Sequence, residues 1–342
     1  MRRPTLVRSV VVTAAVALLA GGCGGGATNT SSKDPKTAFG VGRDGLNDAE
    51  ALTVTLKLDT TPETLIALAK ATGDPLVPTT AQALAGGQLV FENKTTNGKK
   101  LSEIKSGDAN ATAGRVSFAE NGTSYVEFRT RDSNLYLRAD VKGLLGVVGK
   151  SKQYDELQAR ANTLPAFVKA LVAGQWVSLP SSVLTALASQ FGGSGALPSA
   201  AQMKKLISDV NAVIDRDVAV TRVGSDDQGD HLTLTVQSRQ FVTDALQAIS
   251  GAVPAAGLAL AKVNPTEVPQ RSVVLDAWIN DGALSKLSID IAQFFDDKLK
   301  AVAAHLPVVL TFDRSGDDIE KPDGATQIDL TQLGALLGGL GA

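Results

Sequence analysis

Arg115-Val116-Ser117-Phe118-Ala119-Glu120, then Asn121-Gly122, then Thr123-Ser124-Tyr125-Val126-Glu127-Phe128-Arg129-Thr130 form one unbroken stretch. Asn-Gly between two β-like runs is the strongest short hairpin signal, because both residues accept the positive φ of a two-residue turn. Val126 and Phe128 face one way and Glu127 and Arg129 the other, which predicts antiparallel strands with one dry and one wet face. The pattern repeats on either side. Residues 88–95 and 134–139 read as neighbouring strands, while the polar run 97–114 reads as a loop or weak edge. Upstream, Leu52-Thr53-Val54-Thr55-Leu56-Lys57-Leu58-Asp59 puts an apolar residue on every even position, a half-buried strand.

Helices separate these strands without a βαβ rhythm. Thr61-Pro62-Glu63-Thr64 is a helix start, with a Thr cap, Pro in the first turn and an early acid. Leu65, Leu68 and Ala69 form its apolar stripe, and a second short helix is expected over 80–84. Further helices are expected over 141–148 and 153–172 (Pro165 starting or kinking the second part), and over 181–190, 200–214, 241–249 and 331–340. Met203, Leu206, Ile207, Val210 and Val213 share one side of the 200–214 helix. The remaining strands are 175–180, 218–223, 231–238, 272–280, 284–291, 307–314 and 325–330, with Asp281-Gly282 marking another hairpin. About nine to eleven strands interrupted by blocks of helix define an α+β chain.

The N-terminus carries the second decisive signal. Arg2, Arg3 and Arg8 precede the apolar run 10–19, and Ala20-Gly21-Gly22-Cys23 ends it. A basic segment feeding a short apolar one is a signal peptide, too short to span a bilayer permanently, which takes about 20 apolar residues. Small residues before a cysteine resemble a bacterial lipoprotein lipobox, which implies cleavage between Gly22 and Cys23 and acylation of the Cys23 thiol. An ordinary secretory signal with an incidental cysteine is the alternative; Cys23 is the chain's only cysteine. The polar stretch after it predicts a flexible tether over 23–44, on the order of 25 Å in r.m.s. span, before a single domain over 45–342.

Composition bounds the function. Removing the signal leaves about 320 residues, 44% of the whole chain is hydrophobic, and the net charge is −2. That is enough for a core, and it argues against nucleic acid, which leaves a basic footprint. With Cys23 acylated the exported domain has no disulfide. No catalytic residue, metal ligand set or cofactor motif stands out. His231 opens a strand, where it is expected exposed, and His305 is expected to end an Ala-rich helix; neither has ligand-spaced companions. Ser194 lies in a Gly-rich break without nucleophile-elbow spacing. Asp313 to Asp318 imitates a calcium loop but lacks the sixth-position glycine. Trp176, opposite in phase to Val177 and Leu179, is placed under a helix, and Trp278, in phase with Val274 and Asp276, on the outer side of the sheet.

Three further segments carry a resemblance. They are Leu135-Tyr136-Leu137-Arg138-Ala139-Asp140-Val141, Leu171-Val172-Ala173-Gly174-Gln175-Trp176-Val177-Ser178-Leu179, and the run from Leu275-Asp276-Ala277-Trp278-Ile279 through Asn280-Asp281-Gly282-Ala283-Leu284-Ser285-Lys286-Leu287. With the lipobox, they resemble actinobacterial lipoproteins of the LppX/LprG type, relatives in fold of the LolA and LolB carriers. The resemblance covers about residues 45–335. It implies a strongly curved antiparallel sheet, an unclosed half-barrel, with helices on its concave face and acyl chains held between. It supplies no reactive group beyond Cys23.

On that reading Leu52, Val54, Leu56, Leu58, Val126, Phe128, Leu135, Leu137, Leu232, Leu234, Leu275 and Ile279 are the candidate cavity-facing residues. The implied partners are the membrane, through the lipid anchor, and a lipid or lipidated ligand. The other reading is an envelope scaffold whose helices fill the sheet and whose surface binds a protein.

Overall fold

In the computed structural model the described residues are 34–104, 110–180, 200–252, 264–329 and 332. The signal peptide, Gly22, Cys23, the expected helix over 181–190 and the Ser194 break lie outside them, as does the expected C-terminal helix save Gln332.

Twelve strands form one sheet: β1 Ala51–Leu58, β2 Gly87–Thr95, β3 Thr112–Glu120, β4 Thr123–Arg131, β5 Asn134–Ala139, β6 Val177–Pro180, β7 Ala219–Asp226, β8 Gly229–Gln237, β9 Ser272–Asn280, β10 Ala283–Asp290, β11 Pro307–Asp313 and β12 Thr326–Gln327. Their spatial order is β12-β6-β5-β4-β3-β2-β1-β11-β10-β9-β8-β7, so the curved sheet is unclosed and ends at β12 and β7. Every neighbouring pair is antiparallel except the two-residue β12, which runs parallel to β6 and takes the place of the longer strand expected over 325–330.

The turns close the hairpins, and bulges at Phe118/Ala119 and Leu284/Lys286 then shift two of the registers by one residue. Asn121 and Gly122, at φ 48° and 80°, and Asp281 and Gly282, at 48° and 76°, make two-residue hairpins that need positive φ at both positions. The β4–β5 turn does the same with Asp132 and Ser133, at 50° and 57°, which is why no Gly announced it.

Nine helices lie among the described residues: α1 Pro35–Asp44, α2 Pro62–Thr72, α3 Pro78–Gly86, α4 Val141–Val147, α5 Ser151–Arg160, α6 Ala166–Val172, α7 Ala200–Asp217, α8 Ser238–Ala252 and α9 Asp297–Lys300. The Thr61 hydroxyl caps α2 by accepting from Thr64 N–H, and Gly73 closes it at φ 80°.

The first of these helices corrects the expected tether. Residues 35–44 are helical, capped by Asp34, whose carboxylate accepts from Thr37 N–H at 2.8 Å. Ala38 and Phe39 are buried in the main core. Gly42 and Gly45 decide how closely α1 docks. A Cβ at Gly42 would lie 3.0 Å from the Ile279 side chain, and one at Gly45 would lie 2.3 Å from the Gly282 carbonyl oxygen.

Cross-strand pairing places the dry positions of all strands on one face, and three apolar clusters lie there. The largest joins α1, α7 and α8 to β7–β11 and β1 through Phe39, Val210, Val213, Ile214, Phe241, Leu232, Leu234 and Leu310. Side chains of Met203, Leu206 and Ile207, expected on the same side of α7, are not among those described. A second cluster holds α2 and α3 to the segment after β10 through Leu65, Leu68, Ala81, Ala292 and Leu306. The third packs Phe167 and Ala170 of α6 on Val177 and Leu137.

Candidate functional site

Half of the dry face is filled and half is not. Over β7–β11, Leu232 and Leu234 are 0% and 1% exposed. Over β1–β5 the same face opens into a groove of about 430 Å³. Leu52, Val54, Phe91, Val116, Phe128 and Leu135 line it, with Asn93, Gly114 and Thr130 at one end and Glu92, Arg115 and Arg129, the intervening residues of the same strands, also bordering it. Register builds this lining directly: Val54 faces Phe91, Phe91 faces Val116, Val116 faces Phe128 and Thr130 faces Leu135. Phe91 and Phe128 stay 36% and 39% exposed, a large apolar exposure for rings on the core side of a sheet.

The twelve residues expected to face a cavity all lie on this dry face, but the groove gathers only Leu52, Val54, Phe128 and Leu135. Leu232, Leu234 and Ile279 are buried in the main core, with Leu56, Leu58 and Leu275 packed against it. Their cavity assignment is corrected: α1, α7 and α8 fill the space above them. Leu137 packs under α6, and Val126 is half-buried between Phe118 and Ala139. Phe91, Val116, Gly114 and Asn93 are groove residues that sequence reading did not single out. The Asn121-Gly122 turn alone would set Val116 across from Glu127; a bulge between Phe118 and Ala119 shifts it across from Phe128, and that bulge has no signal in the sequence pattern.

The wet face behind the groove holds buried charge. Glu92 and Glu127 are 4% and 5% exposed. Glu92 pairs with Arg115. Glu127 accepts from Arg129 Nε at 2.7 Å and from Arg138 Nη2 at 2.8 Å. Both guanidiniums lie over the Trp176 ring, 4.7 and 5.0 Å from its centroid. Trp176 therefore lies against two cations on the outer face, not under a helix, which corrects its expected placement.

Residues 314–325 cross this outer surface as a strap. Thr53 Oγ1 donates to the Ser315 carbonyl at 2.9 Å, Lys94 Nζ to that of Gly316 at 3.1 Å and Arg129 Nη1 to that of Glu320 at 3.1 Å. Lys94 also pairs with Asp318 at 2.7 Å, a bond that holds the Asp318 carboxyl below its ordinary range. Gly316 is needed for close approach, since a Cβ there would lie 2.6 Å from Glu92 Oε1.

A second polar group lies farther along the same face. Trp278 Nε1 donates to Asp226 at 3.0 Å, which lowers the pKa of that carboxyl. Trp278 stacks on His231 with centroids 4.5 Å apart, and Lys286 lies over its ring at 4.3 Å. His231 is thus half-buried against Trp278 and bonded to Asp276 at 2.9 Å, a correction to its expected exposure. His305 follows the short α9 in a loop, not the end of an Ala-rich helix, and bonds Asp290 at 2.7 Å. Among the described residues, no three His, Cys, Asp or Glu side chains are grouped to hold a metal ion. No described helix is long and apolar enough to cross a membrane.

The fold and groove define a class: an open, curved α+β sheet with helices over part of its concave face and an apolar trough on the rest. No family model and no curated protein matches the chain. Among solved structures it is similar to LprF from Mycobacterium bovis, at 11% sequence identity and a TM-score of 0.35 over 86% of this chain and 98% of that one.

Proposed function

We propose that the chain is an extracytoplasmic lipoprotein, anchored to the cell membrane through Cys23, that binds or carries an amphiphile in the β1–β5 groove without catalysis. The groove itself carries the reading. Its volume of about 430 Å³ falls in the range of small-molecule sites, about 300–1,000 Å³. An acyl chain laid along Phe91 and Phe128 would gain about 0.8 kcal/mol for each methylene removed from water. Asn93 and Thr130 supply the few polar groups such sites use to orient a ligand at one end. The lipobox supports the anchor, and two acyl chains on Cys23 would make it effectively permanent.

The test is native mass spectrometry of a Cys23→Ala form, with titration by a fluorescent fatty acid. Co-purifying lipid, or fatty-acid binding lost in Val116→Trp, supports the reading. A bare protein that binds no fatty acid refutes it and favours the scaffold reading, for which the close-packed β7–β11 half speaks. The anchor is tested separately, by metabolic labelling with a palmitate analogue that marks wild type and not Cys23→Ala.

A further inference from the structure

We infer that the end of the sheet where β1 finishes and β2 begins is a docking face for an anionic lipid bilayer; the inference rests on the anchoring reading above. Chain direction supplies the first observation. The N-terminus of α1 lies at this end, because Lys36 Nζ bonds the Asp215 carbonyl beside the start of β7. The helix then runs to the opposite end, where Gly45 meets Gly282 of the β9–β10 turn. The chain leading from Cys23 therefore joins the domain at its β1 end.

The same end carries an unusual turn. Val77 and Val148 are 44% and 46% exposed, and Leu84 on α3 is 40% exposed. Val77 packs toward Gly149, at 3.4 Å from where its Cβ would be, so the two valines border one another. The Thr79 and Thr80 hydroxyls donate to the Val147 carbonyl at 2.8 and 2.7 Å, which fixes α3 against the turn. Residues 147–152 read Val-Val-Gly-Lys-Ser-Lys, with no acid, and Lys150 and Lys152 are exposed. Asp74, Asp155 and Glu156 are the acids nearest in sequence. Exposed aliphatic side chains flanked by lysines suit a bilayer interface: the valines enter the headgroup region and each lysine meets anionic lipid.

Reach is sufficient. From the N-terminus of α1, beside β7, to α3, over β1 and β2, is five or six strand spacings, about 25–30 Å. The eleven residues 23–33 span at most about 40 Å. An anchored domain can therefore set this turn on the membrane.

The experiment places a thiol-reactive environment-sensitive dye at Val148→Cys in the acylated full chain, on vesicles of phosphatidylglycerol and phosphatidylcholine containing doxyl lipids. A control carries the dye at Lys99→Cys, an exposed position at the opposite end of the sheet. Cys23 is the only native cysteine and is blocked when acylated. Quenching at 148 and none at 99, with Lys150→Glu/Lys152→Glu reducing it on anionic but not on neutral vesicles, is the expected result. For a Cys23→Ala form carrying the same pair, partition to anionic vesicles should fall at least about thirtyfold, the loss of the two lysines alone. An anchored chain quenched equally at both positions, or more at 99, overturns the inference alone. A chain that stays in solution and takes dye at Cys23 overturns the anchoring and the inference together.

Discussion

Phe39→Ala separates an integral α1 from a tether. Phe39 is 3% exposed within the main core, so its loss removes a transfer contribution of about 1.5–3 kcal/mol and leaves a void. Gly42 against Ile279 and Gly45 against the Gly282 carbonyl leave α1 little room to slide and close that void. The cost should therefore fall in the upper part of the usual Phe→Ala range, about 4 kcal/mol. Urea unfolding of a Cys23→Ala form, followed by the fluorescence of its two tryptophans, reads this directly. With a urea slope of about 3 kcal/mol/M for a domain of this size, the midpoint should drop by more than about 1 M. A solvated tether residue would change stability by less than about 0.5 kcal/mol, a shift below about 0.2 M. A shift that small refutes the docking of α1.

Four further outcomes are expected. Gly45→Ala should cost about 1–3 kcal/mol in the same titration, because the new methyl meets backbone and not a flexible side chain. Glu127→Ala should cost about 3 kcal/mol, the lower end for breaking a buried pair, since the Arg138 side chain is 40% exposed and regains water; melting curves at fixed pH measure it. Val116→Trp should weaken fatty-acid binding at least about tenfold by filling the trough, whereas Leu232→Ala should cost about 2–5 kcal/mol of stability and leave binding intact. Burial, the largest influence on Asp290, pushes its pKa up, but bonds from Leu306 N–H, His305 and Ala292 N–H together bring it below the ordinary value. A carboxyl lowered in the folded state stabilises above its unfolded pKa and loses that contribution as pH falls through the folded one. Asp290→Asn should therefore lower the melting temperature at pH 7 and flatten its decline below about pH 4, with the wild type as reference.

Strand positions were legible because alternation and Asn-Gly or Asp-Gly turns act locally. β5 and β9 fall where the period-two pattern put them. What could not be read was which stretch of that face a helix covers. Leu232 and Phe128 alternate alike, and only the return of α7 and α8 over β8 distinguishes them. The sequence around α1 misled for a different reason. Gly40, Gly42 and Gly45 lower helix propensity and look like linker chemistry, yet Gly42 and Gly45 are what lets this segment approach Ile279 and Gly282. Trp176 was misplaced because its partners, Arg129 and Arg138, come from other strands, and pairing across β4, β5 and β6 has no local signature.

An apolar trough open to water has a physical problem: dispersion and burial favour closing it, and protein interiors tolerate few voids. The side facing away from the trough offers the counterweight. Behind the lining strands, Glu92 and Glu127 are held by Arg115, Arg129 and Arg138, and the 314–325 strap is bonded in turn to β1, β2 and β4 before it pairs with β6. Buried ion pairs of this kind contribute little net stability, because desolvation offsets most of their attraction, but they hold their partners to one geometry. Pinning β1 through β6 from the outer face fixes the curvature, and the curvature fixes the distance between Leu52 and Leu135 across the trough. Among the described residues the β7–β11 half has no such strap, and α1, α7 and α8 fill its concave side. Packing on one half and outer-face bonding on the other are alternative ways to hold the same sheet open, and only the second leaves room for a ligand.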